Sequence, residues 1–273
     1  MKSEEHIQQS TLSNHTIKDV SDQLKKLHLS GCIDHLLAQY DEREFVALPF
    51  IDKVFSLLNA EIKRREYNSF LRRKKKSHIS DNIENHLVNS ADDESGLKID
   101  ERDYLSQCTW LTADTSRIIA ITGKTGVGKS TLGVNIMDCA LRKGFKANYQ
   151  SYNLMMMKAT SLYSKSVDDF SEYLNELCNV HVLMLDDFLL SEDRMDKEAE
   201  CLKEILDLCK EKSCSLIIAS QRAMRNWPDC FDDSNLAAAI LDRFTEAPIL
   251  VELSGGSKRT KTGTKLGAKQ INE

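Results

Sequence analysis

The chain of 273 residues has no stretch approaching the roughly 18 consecutive apolar residues that a membrane span requires. Its opening residues, Met1-Lys2-Ser3-Glu4-Glu5-His6, carry no apolar signal-peptide core. The expectation is a cytoplasmic protein with no membrane partner. There is no CxxC pair either. Eight cysteines, at 32, 108, 139, 178, 201, 209, 214 and 230, are scattered and fall mostly inside apolar patterns. Zinc sites and disulfide frameworks need tighter or more regular spacing, so buried reduced thiols are expected. The seven histidines are equally dispersed and suggest no metal cluster. No internal repeat is visible.

Positive charge is also not in excess overall, since the formal net charge is −5. Its distribution is uneven. Between Lys63 and Lys76 stand eight basic residues, Lys63, Arg64, Arg65, Arg72, Arg73, Lys74, Lys75 and Lys76, against one acid. From Lys258 to Lys269 there are five basic residues and no acid. Binding to a phosphate backbone needs local clusters rather than a basic whole, so nucleic acid is retained as a partner class. A solvated helix face and a loose tail would produce the same runs.

What remains is the composition of a soluble globular protein, 41% hydrophobic and 29% charged, long enough for about two domains. Residues 1–16 are polar and expected to be disordered. Ile17, Val20, Leu24 and Leu27 have helical spacing, with Ser30-Gly31 offering a stop. Ile33, Leu36, Leu37 and Tyr40 suggest a second short helix. Ile51, Val54, Phe55, Leu58 and Ile62 suggest a third that runs into the basic segment. A helical domain over 17–80 follows, then a linker over 81–100 rich in Ser, Asn and acids. Over 101–257 strands alternate with helices. Strands are expected at 117–122, 147–151, 180–186, 216–219 and 249–253, and helices near 129–143, 153–164, 168–177, 195–209 and 235–244. Such alternation implies an α/β fold with a mostly parallel sheet covered on both faces. A basic tail occupies 258–273.

The strongest signal is Gly123-Lys124-Thr125-Gly126-Val127-Gly128-Lys129-Ser130, which fills every fixed position of GxxxxGK[ST]. The β-prone Ile118-Ile119-Ala120-Ile121 leads into it, and a helical stretch from Thr131 leads out. Glycines let backbone N–H groups turn around a polyphosphate, and the helix N-terminus adds unsatisfied donors and a favourable dipole. Lys129 would neutralise the β- and γ-phosphates, and the Ser130 hydroxyl would coordinate Mg2+. The chain is therefore expected to bind a nucleoside triphosphate, ATP, through Gly123 to Thr131.

Hydrolysis needs an acidic element on a neighbouring strand. Val180-His181-Val182-Leu183-Met184-Leu185-Asp186-Asp187 supplies an apolar strand ending in two carboxylates. Asp186 would hold Mg2+, directly or through water, and Asp187 would orient and deprotonate the attacking water. The next strand ends in Ser220-Gln221-Arg222, where Gln221 can act as a γ-phosphate sensor. The helix Asn235–Phe244 presents Arg243 at its end. In a monomer this is a cation complementing the helix dipole; in an oligomer it is a finger reaching the neighbouring subunit's γ-phosphate.

These residues, with Leu183-Met184-Leu185-Asp186-Asp187-Phe188, Ala219-Ser220-Gln221 and Ala239-Ile240-Leu241-Asp242-Arg243, resemble the motif series of the IstB-like helper ATPases of insertion sequences. Those are relatives of DnaC-like helicase loaders within the AAA+ class of P-loop NTPases. Gly96-Leu97 with Leu105 and Trp110, the N-terminal Leu24-Lys25-Lys26-Leu27 with Gly31, and Gly255-Gly256-Ser257-Lys258-Arg259 extend the likeness over roughly residues 17–259. Two positions depart from it. Leu189 stands where glycine is common after Asp-Asp-Phe, and Ser130-Thr131 replaces Thr-His or Thr-Trp. The 20 residues after Leu253 are too few for a helical lid domain. The resemblance implies an ATPase that forms a homo-oligomer with ATP on duplex DNA and recruits or stimulates a transposase. The basic run from Lys63 to Lys76 would then be a DNA or transposase contact. A replicative helicase loader and a non-hydrolysing nucleotide-binding scaffold are the alternatives.

Overall fold

The computed structural model describes residues 15–79, 97–112, 116–190, 196–245 and 248–254. The expected N-terminal tail before residue 15, most of the 81–100 linker with Gly96, Met195, the Gly255–Arg259 segment and the basic tail lie outside the described residues. The chain divides into two compact units, Met1–Leu71 and Arg72–Glu273.

The first unit is helical: α1 (Ile17–Lys26), α2 (Ser30–Gln39), α3 (Arg43–Ala47) and most of α4 (Phe50–Lys76), whose residues from Arg72 belong to the second unit. Thr16 and Asp19 form a reciprocal capping box that starts α1. Ser30-Gly31 does not stop a helix, contrary to expectation, but begins α2. The chain turns just before it, where His28 adopts φ +56°. The glycine is needed for approach rather than termination: a Cβ at Gly31 would stand 2.8 Å from the Glu61 Cα of α4. At this contact the Gly31 N–H donates to Glu61 Oε2 at 2.6 Å, and Cys32 Sγ donates to the Leu57 carbonyl at 3.2 Å. The apolar ladder of α4 does lie on a helix, yet Ile51, Phe55 and Ile62 are 72%, 68% and 55% exposed. Periodicity identifies a helix but not what covers its face.

The second unit begins with the end of α4 and continues through α5 (Ile99–Gln107), β1 (Ile118–Gly123), α6 (Lys129–Arg142), β2 (Ala147–Ser151), α7 (Tyr152–Tyr163), α8 (Val167–Cys178) and β3 (Val182–Asp186). Next come α9 (Asp196–Glu211), β4 (Ser215–Ser220), two 3₁₀ turns at Met224–Asn226 and Pro228–Cys230, α10 (Ser234–Thr245) and β5 (Ile249–Leu253). The five strands form one sheet in the order β2-β3-β4-β1-β5, every neighbouring pair parallel. The central strands are apolar runs because a parallel sheet is covered on both faces. β3 and β4 are buried throughout.

Successive strand residues point to opposite layers. Ala120, Leu183, Leu185, Leu216 and Ile218 join the core built with α7, α8, α9 and α10. On the other layer, α6 approaches at Gly133, where a Cβ would meet Met184 and Ile217. Met155 and Met156 are buried in the first core whereas Met157 is exposed, so this run is mainly packing. Trp227, fully buried, stacks edge-on against Phe188 and Phe244 at 4.8 and 5.2 Å and donates its Nε1–H to the Arg222 carbonyl. That cluster anchors the loops after β3 and β4; each such ring pair adds about 1 kcal/mol beyond its buried area. Trp110 is likewise buried and donates to the Leu105 carbonyl, a packing role.

Candidate functional site

The carboxyl ends of β1, β3 and β4 converge, as expected for ligand sites in open parallel sheets. β1 runs directly into the phosphate-binding loop. Gly123 has φ +147°, and a Cβ there would collide with the Leu253 carbonyl of β5, so only glycine allows the strand to turn at that point. Gly126 and Gly128 also have positive φ, and Gly128 leads straight into α6. The α6 N-terminus therefore faces the loop, with Ser130 and Thr131 exposed in its first turn. Lys129 is buried, and its Nζ donates to the Gly123 and Lys124 carbonyls at 2.9 Å each. The ammonium thus sits within the curve of the loop, where a polyphosphate would lie.

Asp186 ends β3 and is 6% exposed. Its Oδ1 accepts from Ser130 Oγ at 2.9 Å and from the Asp187 backbone N–H at 3.0 Å. Its Oδ2 accepts from the Tyr149 hydroxyl at 2.7 Å. A hydroxyl and a carboxylate side by side are hard oxygen donors, the set that suits Mg2+ held largely through water and phosphate. Asp187 is exposed and adopts φ +55°, a left-handed conformation that aspartate tolerates better than most residues. Gln221, just past β4, accepts from Thr125 Oγ1 of the loop at 2.7 Å. The residues read as phosphate loop, metal-side acid and sensor are therefore joined by direct hydrogen bonds.

Arg243 stands apart from them. It lines a small cavity with Ser116, Ile118 and Leu216, at the amino ends of β1 and β4. The phosphate loop lies beyond the opposite end of β1, whose six residues span roughly 17 Å, five steps of about 3.3 Å. Arg243 Nε donates to Asp207 Oδ1 at 2.7 Å and its Nη1 to the Ala239 carbonyl at 2.8 Å. Lys203 pairs with the other Asp207 oxygen at 3.1 Å. Partial burial pushes the Asp207 carboxyl pKa up, but the Arg243 and Lys203 hydrogen bonds outweigh it and hold that pKa below the ordinary carboxylate value.

The basic run lies on α4. Arg65 is bound to Glu61 at 2.6 Å, Arg64 lies 3.9 Å from Asp34, and Arg73 donates two hydrogen bonds to the Leu141 carbonyl near the end of α6. Lys63, Arg72, Lys75 and Lys76 are exposed, and Lys74 is partly so.

Sequence reasoning did not find Tyr149 or Asp207. A signal for Tyr149 does exist. β2 reads Ala-Asn-Tyr-Gln-Ser, unusually polar for a strand of a parallel sheet, and Ser151 pairs in register with Asp186. Tyr149 shares a face with Ser151, and a tyrosine is long enough to reach along it. Asp207 carries no such mark, because only the packing of α9 against α10 brings it to Arg243.

A sequence model described as IstB-like ATP binding protein matches residues 22–266. The chain is 22% identical over 243 residues to a Bacteroides fragilis protein named for ATP binding in an IS21-like insertion sequence, covering 89% of each chain. It is 25% identical over 240 residues to a Mycobacterium tuberculosis protein similarly named for ATP binding in an insertion sequence, covering 87% of this chain and 92% of that one. Among solved structures, DnaI superposes with a TM-score of 0.53 at 16% identity, over 66% of this chain and 94% of DnaI. That likeness shows the fold, a parallel five-stranded sheet with flanking helices and a glycine loop after its first strand.

Proposed function

Given that the chain belongs to the IstB-like ATP-binding family, we propose that it is an ATP-dependent helper of DNA transposition that hydrolyses ATP, assembles as a homo-oligomer on duplex DNA and recruits or stimulates a transposase. The observation that carries this reading is the direct link between Ser130 at the start of α6 and Asp186 at the end of β3. Two hard-oxygen donors in direct contact, one of them next to the loop lysine in sequence, support phosphoryl transfer from a metal-bound nucleotide.

Lys129 and the loop amides bind the phosphates. Ser130 and Asp186 would hold Mg2+, which when bound would neutralise charge on the phosphate oxygens. Asp187 accepts a proton from the attacking water, and Gln221 orients that water and reports on the γ-phosphate. Arg243 lies at the far end of its own sheet from its own phosphate loop, which favours action on a neighbouring subunit's nucleotide. The exposed cations of α4, Lys63, Arg72, Lys75 and Lys76, with the partly exposed Lys74, supply phosphate-backbone contacts. The exposed apolar side chains of the first unit suit a protein partner.

The test combines phosphate release with electron microscopy. Wild type with ATP and duplex DNA is expected to release phosphate and to form particles or filaments absent under ADP, and Lys129→Ala to do neither. Assembly on single strands alone would transfer the reading to a helicase loader. Silence of wild type and Lys129→Ala alike, with DNA present, would leave a non-hydrolysing scaffold.

A further inference from the structure

Both oxygens of the Asp186 carboxylate are engaged, but by different kinds of partner. Oδ1 faces Ser130 and the loop, whereas Oδ2 is taken by the Tyr149 hydroxyl from the adjacent strand. A carboxylate on a strand end otherwise rotates about its last torsion, which is broad and roughly two-fold. A donor fixed on one oxygen selects one orientation and leaves the other oxygen for the ligand. In this contact the Tyr149 hydroxyl is the donor and Asp186 Oδ2 the acceptor, at 2.7 Å.

Tyr149 is itself held in place. Its backbone N–H donates to the Ser77 carbonyl at 2.8 Å, just past α4, and β2 pairs with β3 from Ala147↔Val182 to Ser151↔Asp186. The phenol is therefore delivered by backbone on both sides of an edge strand, and its reach does not depend on a flexible loop.

We propose that Tyr149 is a positioning residue for Mg2+: by occupying Asp186 Oδ2 it turns Oδ1 toward Ser130, so that the metal-side pair is preorganised before the nucleotide arrives. The inference rests on the ATP-site reading above. Hydrogen-bond partners of metal-ligating groups change metal affinity by roughly 10- to 100-fold when removed. Tyr149→Phe keeps the ring and removes only the donor.

The experiment measures binding of a fluorescent ATP analogue to the full chain in EDTA and across a Mg2+ titration, with Mn2+ binding to the nucleotide complex followed by electron paramagnetic resonance. Affinity in EDTA is expected to stay within about twofold of wild type, while the half-saturating Mg2+ and Mn2+ concentrations rise roughly tenfold. Unchanged metal half-saturation would overturn the proposal. An equal loss of affinity in EDTA and in Mg2+ would overturn it too, by reducing the hydroxyl to a packing group. Wild type that binds no more analogue than Lys129→Ala would sink the ATP-site reading itself, a result distinct from a normal wild type with an indifferent Tyr149→Phe.

Discussion

Leu189 offers the sharpest test of the backbone around the acids. It follows Asp186-Asp187-Phe188, adopts φ +53°, and is 1% exposed within the core of the second unit. Its carbonyl accepts from Arg222 Nε at 3.1 Å, and the Phe188 carbonyl accepts from Ser220 Oγ at 2.8 Å, so the last residue of β4 and a residue just beyond it pin this turn. The left-handed φ gives a physical reason why glycine is common at this position in the family that the sequence resembles. Here leucine accepts backbone strain of about 1–2 kcal/mol in return for burying its side chain. Truncation to alanine should remove that burial and keep the strain, a loss of about 3 kcal/mol. Truncation to glycine should also lose the side chain but relieve the strain. Against this stands the usual glycine penalty of about 0.5–1 kcal/mol from the unfolded chain. Leu189→Gly should therefore be more stable than Leu189→Ala by roughly 0.5–1 kcal/mol, the reverse of the order at an ordinary core position. Urea unfolding followed by tryptophan fluorescence suits the comparison, because Trp110 and Trp227 both lie in the second unit. With an m-value of about 2 kcal/mol/M, the glycine variant's midpoint should lie about 0.25–0.5 M above that of the alanine variant. A lower midpoint for glycine would refute the left-handed assignment and the account of why glycine is common there.

Arg243→Ala should keep nucleotide affinity and lose cooperative, DNA-dependent phosphate release; unchanged turnover would reduce Arg243 to a helix-end cation. The Asp207 pKa lies below its unfolded value, so its contribution to stability is fully present above the ordinary carboxylate pKa of about 4 and is lost as pH falls through the folded value. Acid unfolding curves of wild type and Asp207→Asn should therefore converge below about pH 4, and parallel curves would contradict this assignment. Gly31→Ala should destabilise the helical unit by about 1–3 kcal/mol, because the added methyl meets the backbone of α4; an unshifted thermal transition by circular dichroism would show that α2 and α4 can separate freely. Gln221→Ala should leave nucleotide affinity within about twofold and slow phosphate release roughly tenfold or more; equal rates would limit Gln221 to its bond with Thr125.

Much of the second unit was legible from local chemistry. The run Gly123 to Ser130 specifies a loop because positive φ at glycine and a following helix are local properties, and from β1 onward the observed strand and helix bounds lie within a few residues of the sequence expectations, whereas α5 was not expected and begins inside the stretch read as linker. Asp186 at the end of an apolar strand was legible for the same reason. The first unit was legible only in part. Helical spacing located α1, α2 and α4, yet Gly31 is a contact residue instead of a terminator, and the ladder Ile51, Phe55, Leu58 and Ile62 is exposed.

By itself, then, the sequence determined the alternation of strands and helices, the phosphate loop and the acidic strand end, because each depends on neighbours a few residues apart. Only the tertiary structure decided which distant side chains meet: Tyr149 with Asp186, Thr125 with Gln221, and Arg243 with Asp207, the last at the opposite end of the sheet from the phosphate loop. These pairings follow from strand order and register and from the packing of α9 against α10. Strand order and packing are set by the burial of whole faces, which no short stretch of sequence encodes.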